Sequence, residues 1–521
     1  MYPSIFNDVI GPVMRGPSSS HCAAALRIGR LARDLVAGNI EKVVIQFDLN
    51  GSLATTHQSQ GSDMGLFAGL MGWEATDECL PDSSRAIRAG GAKIEIAIGD
   101  FGFEHPNTYR IAVSNAAEQH VLTAISTGGG MIEIVEIDGI AVSILGDCWE
   151  TLIRITGRPA NTLSQRDSIE ADEVLFHEGP DSVLIQIRGQ QFVHDDAISR
   201  LCADCDIQYV KRLSPVLPVL SRKGTTVPFS TCEQMLRHDK GRNSPPWELA
   251  VQYESQRGNL SRDDVIDRMT RIVQLVRGSI EQGIRGTTYD DRILGYQCGQ
   301  FQTRMRAGEL LEAGLLNRII LNVTSLMEVK SAMGVIVAAP TAGSCAALPG
   351  ACVAAADAMG LTDEDAARAM LAAGLIGVLV AYKTTFAAEV CGCQAECGVA
   401  SGMTAAALVS LAGAGIRQAA SAASMAFQNS LGMICDPVAN RVEVPCLGKN
   451  VMAASNALAC ANMALAGYDP VIPLDEVIET MDRVGRSLPR ELRCTALGGL
   501  SITRTSKDIE RRLHGCRPDQ L

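Results

Sequence analysis

The sequence lacks three features that mark large classes of protein. Basic residues are not in excess, because 46 Lys and Arg stand against 58 Asp and Glu and the net charge is −12. This charge balance does not indicate a basic surface that would bind nucleic acid or an anionic membrane. The first residues, MYPSIFNDVIGP, lack the basic start and apolar stretch of a secretory signal. The longest uncharged apolar runs, such as 369–382, are shorter than the roughly 20 residues that span a bilayer, and they are interpreted as buried helices. We therefore expect a cytoplasmic protein with no nucleic-acid or membrane partner.

The chain has 17 cysteines, an odd number, in the absence of an export signal. This combination disfavours a disulfide framework and favours reduced thiols, some of them metal ligands. Free cysteine is also among the most buried residue types. Cys352 and Cys460 lie in alanine-rich helical stretches, so we expect them only to fill the core.

Composition divides the chain into an α/β part and a helical part, which predicts an α+β multidomain protein. Strand-like runs alternate with short helices and glycine-rich turns up to about residue 220. Helical periodicity follows from about residue 260, where Ser261 is a predicted N-cap. The runs read as strands are 43–48, 94–98, 131–137 and 141–145. The predicted domains are an α/β domain at 1–155, an ACT-like β-α-β module at 156–220, a linker with an entry helix at 221–259, and an all-α catalytic domain at 260–521. In the module, a strand at 181–188, a helix at 195–205 and a strand at 207–213 are expected.

Two cysteine-rich segments carry the strongest chemical signal. Cys391, Cys393 and Cys397 fall within eight residues, and Cys435 is followed by Cys446 across a stretch with two prolines. Thiolate ligands of iron–sulfur clusters sit on such loops and helix ends. The spacing matches neither a zinc ribbon nor a ferredoxin run. From spacing alone, a metal site and a set of buried thiols remain equal alternatives.

A series of motifs extends over nearly the whole chain in a fixed order. They are Gly16-Pro17-Ser18-Ser19-Ser20-His21, Gly51-Ser52-Leu53-Ala54, His105-Pro106-Asn107-Thr108, Ser126-Thr127-Gly128-Gly129-Gly130, Met333-Gly334 through Pro340-Thr341-Ala342-Gly343-Ser344-Cys345, Gly392-Cys393-Gln394-Ala395-Glu396, Cys435-Asp436-Pro437-Val438-Ala439, Val442-Glu443-Val444-Pro445-Cys446 and Thr495-Ala496-Leu497-Gly498-Gly499-Leu500. In these motifs the sequence resembles the iron–sulfur L-serine dehydratases, in a single-chain form and as a divergent member.

The resemblance implies a [4Fe–4S] cluster held by Cys393, Cys435 and Cys446. Three thiolates leave one iron open, and that iron would act as a Lewis acid on the substrate hydroxyl. Cys391 and Cys345 are less favoured as ligands. Cys516 is a weaker candidate still, as a tail cysteine that covers the open iron when substrate is absent.

The resemblance also implies a set of substrate-binding and catalytic residues. Catalysis is assigned to His21, His105, Ser20 and Asn107, with the acid/base role left open between the two histidines. Substrate binding is assigned to Ser18, Ser19, Ser52, Thr341, Gly343, Ser344 and Lys330. The serines before Ala23 have a simpler interpretation as the N-cap of a helix at 23–36, and both interpretations can hold because a helix N-terminus also binds anions.

Several positions depart from the family pattern. Gln60 stands where the family has a histidine, so any base role at that position is lost. Cys22 replaces a threonine, and Lys330 replaces an asparagine. Lys330 is a candidate partner for an extra anionic group on a substrate other than serine; the alternative is a surface lysine, the commoner fate of this residue.

We therefore expect an oxygen-sensitive carbon–oxygen lyase of the L-serine ammonia-lyase type, acting in amino-acid catabolism as a homodimer. The first alternative is the same chemistry on threonine, cysteine or hydroxyaspartate. The second is a non-catalytic cluster or metabolite sensor, and the third is a zinc-dependent lyase or hydrolase. Pyridoxal phosphate is disfavoured, because no lysine stands in a recognisable Schiff-base context.

Overall fold

The computed structural model describes residues 2–156, 169–203 and 205–515, and the chain divides into two compact units. A sheet unit comprises Ser20–Thr225, and a helical unit comprises Met1–Ser19 together with Thr226–Leu521. A sheet-rich N-terminal region and a helical C-terminal region confirm the predicted fold class. The division differs from the predicted domains, because the first 19 residues belong with the helical unit and residues 20–225 form a single unit.

The N-terminal segment of the helical unit is held by a buried carboxylate. A helical turn, Ile5–Val9, is capped by the Ser4 hydroxyl, which accepts from two N–H groups of the turn. The same hydroxyl donates to Glu254 at 2.5 Å, and the N–H of Ile5 donates to the other oxygen of that carboxylate at 2.8 Å. Strand β1 (Val13–Arg15) follows.

The larger sheet of the sheet unit has six strands within the described residues. They are β2 (Lys42–Asp48), β3 (Lys93–Gly99), β4 (Thr108–Ser114), β5 (Gln119–Gly128), β6 (Met131–Ile137) and β7 (Ile140–Ile144). Their order is β3-β2-β4-β5-β6-β7. β2 and β3 are parallel, and the other neighbours are antiparallel. Alternating side chains in β2 and β5 are buried, as expected for a sheet with one face on the core. The sequence predicted β2, β3, β6 and β7 and missed β4 and β5.

Helices cover the buried face of this sheet. They are α1 (Ala24–Asp34), α2 (Leu53–Thr56), α3 (Ser62–Leu70) and α4 (Ser83–Ala89), and an irregular turn at Ser19–Ala23 precedes α1. α1 and α3 approach closely because two glycines of α3 lack a side chain. A Cβ on Gly65 would lie 2.1 Å from the carbonyl oxygen of Cys22, and one on Gly69 would lie 2.2 Å from that of Leu26.

The smaller sheet contains the predicted strand–helix–strand sequence. Its strands are β8 (Trp149–Thr156), β9 (Glu173–Glu178), β10 (Ser182–Gly189) and β11 (Asp206–Leu213), in the order β11-β8-β10-β9. Helix α5 (Asp195–Leu201) connects β10 to β11 and is shorter than the predicted 195–205. β8 pairs with both β10 and β11, so the sheet starts before the predicted boundary at 155/156.

The helical unit places its helices around an alanine-rich core. Within the described residues these helices are α6 (Cys232–Asp239), α7 (Pro246–Gly258), α8 (Arg262–Arg285), α9 (Cys298–Arg306), α10 (Leu315–Ser331), α11 (Ala347–Met359), α12 (Asp363–Lys383), α13 (Ala388–Cys391), α14 (Cys397–Leu411), α15 (Ile416–Gln428), α16 (Cys446–Leu465), α17 (Leu474–Ser487) and α18 (Arg504–Gly515). The predicted Ser261 cap is confirmed, since Ser261 and Asp264 form a capping box at the start of α8. Two of the predictions need correction. A short strand, β12 (Val335–Val337), pairs with β1, so this unit is not all-α. Residues 221–259 contain two helices, α6 and α7, rather than a linker with one helix.

Two segments of the described chain, Ala342–Met359 and Asp363–Lys383, are long and apolar enough to cross a membrane by length and composition alone. Within the protein, 83% and 78% of the tested windows are buried. Core helices share these properties. The run at 369–382 lies in α12, and residues 369–380 are all buried, which confirms its interpretation as a buried helix.

Candidate active site

In the sheet unit, His21 lies between two hydroxyl groups. Its Nδ1 is 3.2 Å from Ser20 Oγ, and its Nε2 is 3.1 Å from Thr56 Oγ1. Because Thr56 Oγ1 donates its hydrogen to the carbonyl oxygen of Ser52 at 2.6 Å, it must accept from Nε2–H. Burial lowers the pKa of His21 to about 4. His21 is therefore a neutral imidazole at pH 7, with the proton on Nε2.

The second predicted histidine belongs to the same hydrogen-bonded group. Ser52 Oγ donates to Asn107 Oδ1, and the N–H of Asn107 donates to His105 Nδ1 at 3.2 Å. Burial lowers the pKa of His105. Ser126 Oγ donates to the carbonyl oxygen of Ser20 at 2.7 Å. Four motifs that are far apart in the sequence therefore meet in one group of side chains.

The sequence analysis missed a third imidazole near this group. His57 follows α2, and its Nδ1 lies 2.8 Å and 2.9 Å from the two carboxylate oxygens of Asp63. Its ring is tilted against Phe47, with 5.1 Å between the centroids. The neighbouring residue is Thr56, which contacts His21. The only sequence signal was a histidine six residues before an aspartate.

Ser18 and Ser19 fall in the N-terminal segment of the helical unit, whereas Ser20 is the first residue of the sheet unit. Ser19 is buried and Ser18 is partly buried. The substrate-binding assignment of these two serines remains a prediction.

The helical unit brings the three predicted cysteine ligands into one buried group. Cys393 begins a short helical turn, Cys446 begins α16, and Cys435 pairs its backbone with residue 493. The three side chains are 2–6% exposed. Burial raises the pKa of Cys446, and the nearby Cys393 raises it further. The separated motifs therefore place the thiols of Cys435 and Cys446 within electrostatic reach of Cys393.

Two further cysteines join this group, whereas Cys391 does not. A hydrogen bond to Cys494 and burial raise the pKa of Cys435, and a hydrogen bond to Cys393 and burial raise that of Cys397. Cys391 instead faces α17, where its Sγ lies 3.6 Å from Asp482 Oδ1. Cys516 lies outside the described residues.

Cys345 is buried, and its burial raises the pKa of the thiol to about 11. Across residues 2–156, 169–203 and 205–515, no three His, Cys, Asp or Glu side chains converge on a position for a single metal ion. The cysteines of a four-iron cluster, in contrast, bind different irons.

Lys330 is fully buried at the end of α10, so the surface interpretation of this residue is wrong. Its Nζ donates to the carbonyl oxygens of Val442 and Ala342. It thereby connects the loop that leads to Cys446 with the loop at 340–344. No carboxylate forms an ion pair with it in the part of the chain that the structure describes.

The loop at 340–344 contacts a carboxylate that the sequence analysis did not select. Thr341 Oγ1 donates to Glu396 Oε1 at 2.7 Å. A Cβ on Gly343 would lie 2.9 Å from the same oxygen, so a side chain at this position would displace the Glu396 carboxyl. Burial raises the pKa of Glu396 to about 7. Ser344 is occupied within the loop, since its Oγ donates to the carbonyl oxygen of residue 339 at 3.2 Å.

Asn450, also missed, connects this loop to the cysteine group. Its Nδ2 donates to the carbonyl oxygens of Gly343 at 2.8 Å and Cys446 at 2.9 Å. Its Oδ1 accepts from the N–H groups of Ala346 and Ala347. Two amides at the start of α11 are therefore paired with a side chain.

Comparison with known proteins gives two family models and several full-length relatives. Residues 241–501 match the model described as serine dehydratase alpha chain, and residues 7–93 match serine dehydratase beta chain. The L-serine dehydratase of Streptomyces coelicolor is 30% identical over 504 residues, which cover 94% of this chain and 96% of that protein. L-serine dehydratase 2 of Escherichia coli is 26% identical over 509 residues, with the same coverage. The probable L-serine dehydratase alpha chain of Bacillus subtilis is 35% identical over 287 residues, or 55% of this chain and 96% of that protein.

Proposed function

This chain belongs to the serine dehydratase family, and from that premise we propose that it converts L-serine to pyruvate and ammonia. The observation that carries the proposal is the buried group of Cys393, Cys435 and Cys446. In the reaction, the Cα proton is removed and the Cβ–O bond breaks. The hydroxide leaves as water, and the resulting enamine tautomerises to an imine. Water then hydrolyses the imine to pyruvate and ammonia, so the water released is taken up again.

We propose that these three cysteines hold a [4Fe–4S] cluster, and their environment supports this. Buried thiolates close to one another are costly unless a positive centre stabilises them. Although burial acts to lower it, the pKa of Lys449 is raised by Cys393 and by Asp436, 2.9 Å away. A bound cluster would supply a Lewis-acidic iron for the substrate hydroxyl.

The protein's own groups then have distinct tasks. Asn450 fixes the loop at 340–344 against the start of α16 through hydrogen bonds to both. In the sheet unit, Ser52 orients Asn107 by donating to its amide oxygen, which leaves the amide N–H₂ to donate to a substrate carboxylate.

The test begins with anaerobic purification, iron and sulfide analysis, and a pyruvate assay with L-serine. We expect iron, acid-labile sulfide and pyruvate formation, and loss of activity on exposure to air. Cys393→Ala, Cys435→Ala and Cys446→Ala should each lose most of the iron. Matched controls are Cys352→Ala and Cys460→Ala, which remove buried thiols of α11 and α16 outside the group and should keep the iron.

Iron retained at wild-type levels in all three cysteine variants would contradict the cluster proposal. Zinc in place of iron would favour the metal-dependent hydrolase or lyase instead. A protein that binds iron and sulfide yet forms no 2-oxo acid from any β-substituted amino acid would favour the sensor.

A second candidate function is the same elimination on a substrate with an additional anionic group. Lys330 supports it, because its fully buried ammonium donates only to neutral carbonyl oxygens, and a buried charge gains from a directly bonded anion. The Glu396 carboxyl lies within electrostatic reach of Lys330 but forms no ion pair with it in the described residues. A panel of L-serine, L-threonine, L-cysteine and hydroxyaspartate compares kcat/KM in wild-type protein and Lys330→Met. If hydroxyaspartate is preferred and only its kcat/KM falls in the variant, the second function is correct. If L-serine alone turns over well, it is wrong.

A further inference from the structure

The sheet unit contains two histidines that a carboxylate holds by Nδ1. One is His57, paired with Asp63, and the other is His120, whose Nδ1 lies 2.8 Å from Asp138 Oδ2. A carboxylate on Nδ1 fixes the proton on that nitrogen and stabilises the imidazolium that forms when Nε2 is protonated. Each pair therefore has the local chemistry of a general base.

The two pairs differ at the second ring nitrogen. His120 Nε2 lies 3.5 Å from Glu118 Oε2, and the ring edge packs on Tyr209. Both nitrogens of His120 are thus occupied, and its side chain is 6% exposed. In contrast, no group within the described residues forms a hydrogen bond with His57 Nε2. Its side chain is 12% exposed. His120 has the arrangement of a structural residue, whereas His57 keeps one acceptor nitrogen available.

His57 also lies beside the hydrogen-bonded group of the candidate active site. It follows Thr56 directly, and Thr56 Oγ1 accepts from His21 Nε2. Asp63 lies in the first turn of α3, whose close packing against α1 fixes its position. The pair is therefore connected to the site through two rigid elements, α2 and α3.

We propose that His57, oriented by Asp63, is the base that removes the Cα proton of the substrate. This inference rests on the proposed function. The electron pair of the Cα–H bond forms the Cα=Cβ bond, the Cβ–O bond breaks, and the oxygen leaves as hydroxide. The proton resides on His57 Nε2 and returns to solvent, or to the hydroxide, after each turnover.

The two histidines selected from the sequence are less suited to this step. Both ring nitrogens of His21 lie against hydroxyl groups, and His105 Nδ1 accepts from the backbone N–H of Asn107. Burial lowers the pKa of both, which makes each a weak proton acceptor. The Nε2 of His21 already carries a proton that it donates to Thr56. We assign to them the orientation of substrate and of neighbouring hydroxyls.

The test uses full-length, cluster-loaded protein and compares His57→Gln with His120→Gln. Loss of a general base lowers kcat by about 100-fold or more, and we expect this for His57→Gln, with iron and sulfide content unchanged. The control His120→Gln removes another largely buried, carboxylate-bound imidazole and should keep kcat within about threefold of wild type. A His57→Gln protein with wild-type kcat would overturn the inference and leave the proposed function intact. A wild-type protein that binds iron but forms no pyruvate would contradict the proposed function itself.

Asp63→Asn provides a second measurement that does not depend on how His57→Gln folds. Without the carboxylate, the imidazolium that forms on His57 loses its anionic partner, and proton removal becomes slower relative to the other steps. We expect kcat to fall by at least about tenfold and the isotope effect on kcat with [2-²H]-L-serine to rise. A purely structural role for Asp63 would leave the isotope effect unchanged, and that result would also overturn the inference.

Discussion

The buried carboxyl of Glu150 gives the sheet unit a pH-dependent stability that a single substitution can isolate. Glu150 is fully buried on β8, where Gln186 Nε2 donates to Oε2 at 3.1 Å. Arg188 Nε lies 3.4 Å from the other oxygen. Burial raises the pKa of Glu150 from 4.5 to about 7 despite the nearby guanidinium.

The magnitude follows from linkage. A carboxyl whose pKa is higher in the folded protein stabilises the fold at acid pH, and this contribution is lost as the pH rises through the folded pKa. The rise from 4.5 to about 7 corresponds to about 3 kcal/mol. Wild-type protein should therefore lose about 3 kcal/mol of sheet stability between pH 4.5 and 7.5, relative to a variant without this carboxyl.

Glu150→Gln keeps an oxygen that can accept from Gln186 but does not titrate. Amide hydrogen exchange in β8 and β10 of the full-length protein gives the local free energy of opening at both pH values. We expect the free energy of opening of the variant, relative to that of wild type, to increase by about 3 kcal/mol as the pH rises. Glu173→Gln is the matched control, because that carboxylate also contacts Arg188 but its side chain is 40% exposed. A difference between Glu150→Gln and wild type that does not vary with pH would refute the reasoning.

Three further substitutions test the packing of the units. Ser4→Ala removes a donor to the buried carboxylate of Glu254, so urea denaturation should show a free energy of unfolding lower by about 1–3 kcal/mol; an unchanged midpoint would contradict this. Gly69→Ala places a Cβ 2.2 Å from the carbonyl oxygen of Leu26 and should lower the free energy of unfolding by about 1–3 kcal/mol. The melting temperature should fall. An equal or higher melting temperature would show that α1 and α3 can separate without loss of stability. Ser261→Ala removes the capping box of α8 and should destabilise the start of this helix by about 1 kcal/mol. Amide hydrogen exchange in the first turn should become faster, whereas Ser261→Asp should keep the wild-type exchange rate.

Local sequence patterns predicted those strands and helix ends that are determined by a few neighbouring residues. The alternation in β2 and β6 and the cap at Ser261 depend on contacts within one strand or one helical turn, so neighbouring residues carry the information. β4 was missed because it starts at Thr108, inside a motif that was interpreted as a functional turn. Residues 221–259 were interpreted as a linker from their polar composition, yet α7 buries one face, including Leu249 and Glu254.

In the candidate site, contacts between residues far apart in the chain could not be predicted from local patterns. The motifs predicted the cysteines of the helical unit, but no local pattern indicated that Cys494 lies against Cys435. These residues meet through backbone hydrogen bonds between two loops, one of them from Cys494 N–H to the carbonyl oxygen of Cys435 at 2.9 Å. Their separation along the chain leaves no periodic signal.

The sequence by itself determined the family, the fold class and the types of side chain available for chemistry, because motifs and periodicity are properties of adjacent residues. Only the tertiary structure decided which of those side chains meet. A lysine is by its charge a surface residue, yet Lys330 is buried because two loops far apart in the chain present carbonyl oxygens to its ammonium. His57 gains a carboxylate because the turn between α2 and α3 brings Asp63 to its Nδ1. Such contacts depend on how whole helices pack, and the free energy of that packing is distributed over the core rather than encoded in any short segment.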